Sequence, residues 1–134
     1  MGYYTSFDGE FVINPPLTWG EVRSSGFSPD AFEKNELEVK IRVGEQVVDD
    51  DEGTRITRTG VALVPAHDDE MRGYNIVEHV QLFIDEHLGH ELIGRLDCRG
   101  EETGDLWRLE IQNGRAVQVR PRIVWPDGTE EVVR

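Results

Sequence analysis

The chain has 134 residues, with 14 Lys or Arg against 27 Asp or Glu, a net charge of −13, and one cysteine. That length fits one domain with a core of its own, and a lone cysteine leaves no internal disulfide to hold it. So negative a surface repels phosphate backbones, which argues against general nucleic-acid binding, and no apolar run approaches the ~20 residues that a membrane span needs.

The chain in order reads as strand, helix, strands, helix, strands. Phe7, Gly9, Phe11 and Ile13 alternate with Asp8, Glu10 and Val12, the pattern of a half-buried strand, and Asn14-Pro15-Pro16 is expected to end it. Thr18 and Glu21 form a capping box for a short helix from Trp19 to about Ser25, closed by Gly26. Ser28-Pro29 starts one more turn, through Phe32. Leu37, Val39, Ile41 and Val43 form the next strand, and Gly44-Glu45 is expected to begin a turn, with Val47-Val48 as a short return. Asp49 to Gly53 is then an acidic loop tip, Arg55 to Val64 a strand interrupted at Gly60, and Ala66 to Gly73 a mobile link.

Ile76, Val77, Val80, Phe83, Ile84 and Leu88 share one face of a 3.6-residue period, which predicts an amphipathic helix from Asn75 to Leu88. Asn75 and Glu78 suggest a capping box, and Gly89 can end the helix. Leu92, Gly94, Leu96 and Cys98 then alternate toward that helix, followed by a charged loop, Arg99 to Asp105, and a strand carrying Trp107, Leu109 and Ile111. A three-residue loop from Gln112 to Gly114 would put Leu109 opposite Val117, keeping both apolar sets on one face, and that register is expected. Pro121 makes its strand an edge or breaks it, and Thr129 to Val133 can return as a last strand. The expected fold is α+β: a single domain over residues 1–134, a mainly antiparallel sheet with about two helices packed on one face.

Chemical motifs are absent or weak. His79 and His87 lie about 80° apart around the helix axis, which is not the spacing that puts two imidazoles on one metal, so no metal and no cofactor is expected. Counting twelve positions from Asp49 reaches Gly60, where an EF-hand loop needs Glu. Cys98 falls on the buried side of its strand, as an inert thiol would, and Ser24-Ser25-Gly26 lacks the spacing of a nucleophile elbow. Gly100 to Gly104 contains acids, the wrong sign for a phosphate loop.

Three surface features remain. Acid is spread along the chain, 6 basic and 12 acidic residues in 1–67 and 8 and 15 in 68–134, and it clusters at Asp49, Asp50, Asp51 and again at Asp68, Asp69. These clusters and Trp19, beside Pro15-Pro16, are the candidates for binding a protein partner. From Ile111 to Pro126 there is no acid, and Arg120 and Arg122 are expected on one side of a strand, able to grip an anion or to pair with neighbouring Glu residues. The start of the chain lacks the basic-then-apolar pattern of a secretory signal, and with one cysteine a cytoplasmic location is expected.

Met1-Gly2-Tyr3-Tyr4-Thr5, Phe7, Gly9, Phe11 and Pro16-Leu17, with Tyr74-Asn75-Ile76-Val77-Glu78, Phe83-Ile84, Glu86-His87, Leu92, Gly94, Arg99-Gly100-Glu101-Glu102 and Asn113-Gly114, resemble a family of small uncharacterised phage and actinobacterial proteins. The resemblance covers both ends, while Glu36 to Asp69 matches only shorter relatives in a general way. It implies a setting among phage or prophage accessory genes and carries no activity, cofactor or site residue with it. The expected function is a non-enzymatic protein-binding module acting on a basic host or defence protein. The alternatives are a small enzyme or binder of an anionic small molecule, and a structural component of an assembly.

Overall fold

In a computed structural model that describes residues 2–132, the elements run β1 (Thr5–Leu17), α1 (Trp19–Ser24), β2 (Val39–Asp50), β3 (Gly53–Pro65), α2 (Ile76–Glu86), β4 (Glu91–Gly100), β5 (Leu106–Gln112), β6 (Arg115–Val119), β7 (Arg122–Val124) and β8 (Glu130–Val132). Six of the strands form an antiparallel sheet in the order β2-β3-β1-β4-β5-β6, and β7 pairs with β8 in a separate ribbon. This is the expected α+β architecture. Among the described residues no helix is long and apolar enough to cross a membrane.

The strand β1 is central, and its alternation sets the layers. Phe7, Phe11 and Ile13, with Leu92, Leu96 and Cys98 of β4, point to the helical side and join Val22, Phe27, Val80 and Phe83 in one apolar cluster. Val12 and Ile93, opposite each other on the other face, stay about half exposed. That outer face is instead covered by charge: Arg42 donates to both carboxylate oxygens of Glu10 at 2.9 Å, and Arg108 to Asp97 at 2.8 Å. An antiparallel sheet with one wet face is stable in this way because only its inner face has to exclude water.

The helix α1 is capped as its sequence indicates: Glu21 N–H donates to Thr18 Oγ1 and Thr18 N–H to Glu21 Oε1. The helix α2 is not. Asn75 makes no side-chain cap, and its own N–H donates to Glu38 Oε1 at 2.7 Å. A carboxylate delivered from the chain ahead of β2 thus meets the positive end of the helix, where a local Asn was expected. Leu88 lies beyond the last helical turn and is 82% exposed, so it leaves the apolar face predicted for it.

Several strand boundaries also differ from the reading of the sequence. β1 runs on through Pro15 and Pro16 to Leu17, which pairs with Gly60 across an irregularity in the ladder, where a missing N–H is tolerated. β2 does not turn at Gly44-Glu45. It continues to Asp50 and closes a hairpin at Asp51-Glu52. A Cβ on Gly44 would stand 2.8 Å from Val61 Cγ1, so this glycine makes room beside the β2–β3 bulge and marks no turn. β3 is not interrupted at Gly60. The link from Ala66 to Gly73 is anchored at both Ala66 and Met71, which are buried, and Met71 exchanges backbone hydrogen bonds with Thr5.

The β5–β6 register is the reverse of that expected. Leu109 faces Gln118, Ile111 faces Ala116, and Gln112 pairs with Arg115 around Asn113-Gly114. Both turn residues have positive φ, 52° and 76°, the two-residue turn whose twist matches the flanking strands. The helical side is kept apolar by Ala116, whose small side chain lets α2 come close enough for Gln81 Oε1 to accept from Ala116 N–H at 2.8 Å. The chain does break at Pro121, after which β7 and β8 form their ribbon; Val133 of the expected last strand and Met1 lie outside the described residues.

Gly60 lies at a close contact between α1 and the sheet. A Cβ there would lie 2.9 Å from Val22 Cγ2, 3.0 Å from Ile41 Cγ2 and 3.1 Å from Leu17 Cβ. Gly60→Ala is therefore expected to destabilise the fold by about 1–3 kcal/mol in urea titrations. Leu88→Ser should stay within about 0.5 kcal/mol of the wild type. Equal midpoints for Gly60→Ala and wild type would refute the packing of α1.

Candidate functional site

Beyond Val43 the β2–β3 hairpin leaves the core and continues as an exposed two-stranded arm to the turn at Asp51-Glu52. Its helical-side face carries Glu45, Val47 and Asp49 across from Arg58, Ile56 and Thr54. Val47 and Ile56 form a cross-strand apolar pair that is 63% and 57% exposed. Trp19, at the start of α1, sits at the root of this face with the Arg58 guanidinium 5.6 Å from its ring centre. Arg58 also donates to Glu45 at 2.8 Å. At the tip, Asp49 accepts from Thr54 and Asp50 pairs with Arg55, whereas Asp51 and Glu52 make no ion pair among the described residues. Trp19 and the Asp49–Asp51 cluster thus lie at opposite ends of one arm.

Asp68 and Asp69 are elsewhere, on the exposed link, beside a shallow groove with Tyr4, Ser6 and Asp8. They do not belong to the arm. Arg120 and Arg122 line one groove and each meets an acid, the second of the two uses expected for them. Pro121 separates them, Arg120 donates to Asp105 at 3.0 Å, and Arg122 lies 3.6 Å from Glu130. Both line an open groove of about 590 Å³ with Asp8, Asp97, Trp107 and Arg108, where the Arg108, Arg120 and Arg122 cations already have a carboxylate partner.

A polar cluster that the sequence did not single out joins the end of α1 to the end of α2. Ser25 Oγ lies 3.0 Å from His87 Nε2 and accepts from Phe27 N–H at 3.1 Å. His90 places Nδ1 2.6 Å from the Pro15 carbonyl and Nε2 2.9 Å from Glu21 Oε2. An open cleft of about 660 Å³ adjoins it, lined by Phe27, Leu37, Leu82 and His87 among others. Burial lowers the pKa of His87, favouring neutral imidazole, while its contacts with the Pro15 carbonyl and then Glu21 raise that of His90. A neutral imidazole beside a hydroxyl is the geometry of a base and a nucleophile. Here the serine is buried, already accepts a backbone N–H and bridges two helix ends, so its evident work is to satisfy them.

The whole chain, residues 1–134, matches the family described as "Family of unknown function (DUF6205)". The chain belongs to this family. No curated protein and no solved structure matches it.

In this DUF6205 chain His87 and His90 stand on either side of the Leu88-Gly89 step that closes the helix in sequence, but nothing local gives their partners. Ser25 and Glu21 are more than sixty positions away, and only the packing of α1 against α2 brings them in. His79, by contrast, accepts Glu38 N–H at Nδ1 (3.1 Å) and helps fix the loop ahead of β2. Among the described residues no group of three or more His, Cys, Asp or Glu side chains could hold a metal ion. Cys98 is buried and its thiol is pushed up to about 12 by that burial, which suits a packing role.

The two histidines give opposite pH slopes. His90, raised in the folded state, adds stability that is complete below its unfolded pKa and fades as pH rises through its folded value. His87, lowered, adds stability that is present above its unfolded pKa and fades as pH falls through its folded value. In an NMR titration the His87 ring is expected to titrate first on the acid side and the His90 ring at higher pH. The opposite order would break the assignment of this cluster.

Proposed function

We propose that the chain is a small non-enzymatic docking module that uses the β2–β3 arm to hold a basic partner protein. One observation carries this reading: the hairpin extends past the core, where it exposes an apolar pair, Val47 and Ile56, between an acidic tip and Trp19. Exposed apolar side chains between charged ends are what a protein partner can bury, and an aromatic anchor at the root suits a site of concentrated binding energy. The net charge of −13 favours a positively charged partner and speeds its encounter. The pairing of Arg120 and Arg122 with acids weighs against an anionic small-molecule ligand.

The resemblance of both ends of the chain to small phage and actinobacterial proteins supports an accessory role in the cytoplasm, directed at a host or defence factor. Asp68 and Asp69 lie off the arm and have no part in this reading.

The test is capture of a basic protein by immobilised wild type, by an Asp49→Asn/Asp50→Asn/Asp51→Asn variant, and by Trp19→Ala. A partner should be retained at low salt, released at moderate salt, and reduced several-fold by either variant. Equal recovery by wild type and both variants would falsify the arm as the docking surface.

A further inference from the structure

We propose that the open edge of β2, from Val43 to Asp49, takes up an extended basic segment of the partner as an added β-strand. This rests on the docking reading above and specifies how the docking is made. β2 is the outermost strand of the six-stranded sheet, so among the described residues no strand lies along one side of its backbone. Which groups face that open side follows from the hydrogen bonds. Ala66 N–H donates to the Glu38 carbonyl, which places Glu38 toward β3, and Ile41 N–H donates outward to the Phe27 carbonyl. At the other end the two-residue turn makes Asp50 and Gly53 a hydrogen-bonded pair. Even-numbered residues of β2 therefore bond to β3, and odd-numbered ones face out. The bulge does not disturb this, because its extra residue, Val61, lies on β3.

The segment before β2 covers the edge only as far as Ile41, through the Phe27 carbonyl. From Val43 the edge is open, and the N–H and C=O groups of Val43, Glu45, Val47 and Asp49 face outward. A long exposed edge is a template for another strand, and strand addition uses these groups for affinity and alternate side chains for specificity. On the helical side an incoming strand would lie next to Val47, with Glu45 and Asp49 on either side of it along β2.

The charge of the arm selects the occupant. Between Val43 and Gly60 five acids, Glu45, Asp49, Asp50, Asp51 and Glu52, stand against Arg55 and Arg58, and each arginine is already paired with one of them. A second copy would bring the same acids and another net charge of −13. The cation nearest the open edge, Arg42, is turned inward across β3 to Glu10, so it is not available to a second copy. Successive residues of a strand point to opposite faces, so an extended segment with a basic, an apolar and a basic residue at alternate positions on one face fits Val47 and the flanking acids Glu45 and Asp49.

The probe is a capped peptide about eight residues long to match the open edge, with lysine and valine taking turns at every second position and threonine between them, so that one face carries both; a peptide with glutamate in place of lysine is the control. The lysine peptide is expected to bind at low salt and the control not to bind. On binding, amide exchange should slow at Val43, Glu45, Val47 and Asp49, and stay unchanged at Gly44, Gln46 and Val48, which already bond to β3. Val47→Pro removes an outward N–H without touching the β2–β3 ladder, and it should weaken the peptide at least about tenfold. If this variant does not fold, the alternating exchange pattern decides alone.

No binding of the lysine peptide overturns the proposal. So does binding without the alternating protection, or binding unchanged in a folded Val47→Pro protein. In that last case, side-chain docking through the arm survives if the Asp49–Asp51 variant still loses its partner. A wild-type dimer in sedimentation that Val47→Pro dissolves would assign the edge to a second copy, and likewise overturns a basic segment as its occupant.

Discussion

The β1–β4 ladder at the centre of the sheet exists because two of its residues have no side chains. Phe11 faces Gly94 and Gly9 faces Leu96. A Cβ on Gly94 would come within 2.5 Å of the Glu10 carbonyl oxygen, and one on Gly9 within 2.5 Å of the Arg95 carbonyl oxygen. Each glycine is thus vacant where the neighbouring strand's carbonyl sits. Both also have positive φ, 113° and 127°, a region other residues enter only at a cost. This close approach carries the ladder through continuous pairing from Thr5 to Asn14, and puts Phe11 and Leu96, both fully buried, under the helices.

From that central pair the layering follows. All the large buried side chains lie on the helical side, and the outer face is left to ion pairs such as Arg42–Glu10 and Arg108–Asp97. Exposed pairs of this kind contribute little to stability. Their use is to break up the apolar residues of a wet sheet face, among them Val12, Ile93 and Leu106. The helices cover the inner face as far as the edge strand β6, where Gln81 meets Ala116, and leave bare the far ends of β2 and β3. β2 and β3 are longer than the core they cover, and the surplus becomes the arm.

How much of this was legible depended on whether the cause was local. The capping box of α1 and the alternation of Leu92, Leu96 and Cys98 are set by neighbours in sequence, and both are found as read. No turn forms at Gly44 because this glycine serves close packing, against Val61. The β5–β6 register follows turn chemistry and not apolar matching. Asn113-Gly114 imposes its own geometry, and Gln118 opposite Leu109 is accommodated at the open edge, where it stays exposed. The cap of α2 by Glu38 and the Ser25–His87 contact join residues far apart, so no window of sequence contains them. Of the candidate site residues, Trp19 of α1 and the Asp49–Asp51 tip bound the two ends of one arm only because β2 continues past Gly44.

An edge strand that long is a hazard unless something discourages its pairing with copies of itself. β2 has several such devices. The bulge at Val61 of β3 adds local twist, the acidic tip repels its own kind, and the segment before β2 covers the edge at Ile41. None of these blocks a strand of opposite charge. Repulsion between like tips weakens self-pairing and strengthens pairing with a basic segment by the same Coulomb term with its sign reversed. Keeping the monomer soluble and choosing the partner are then one electrostatic property of the arm, which is why its acids and its open backbone are best understood together.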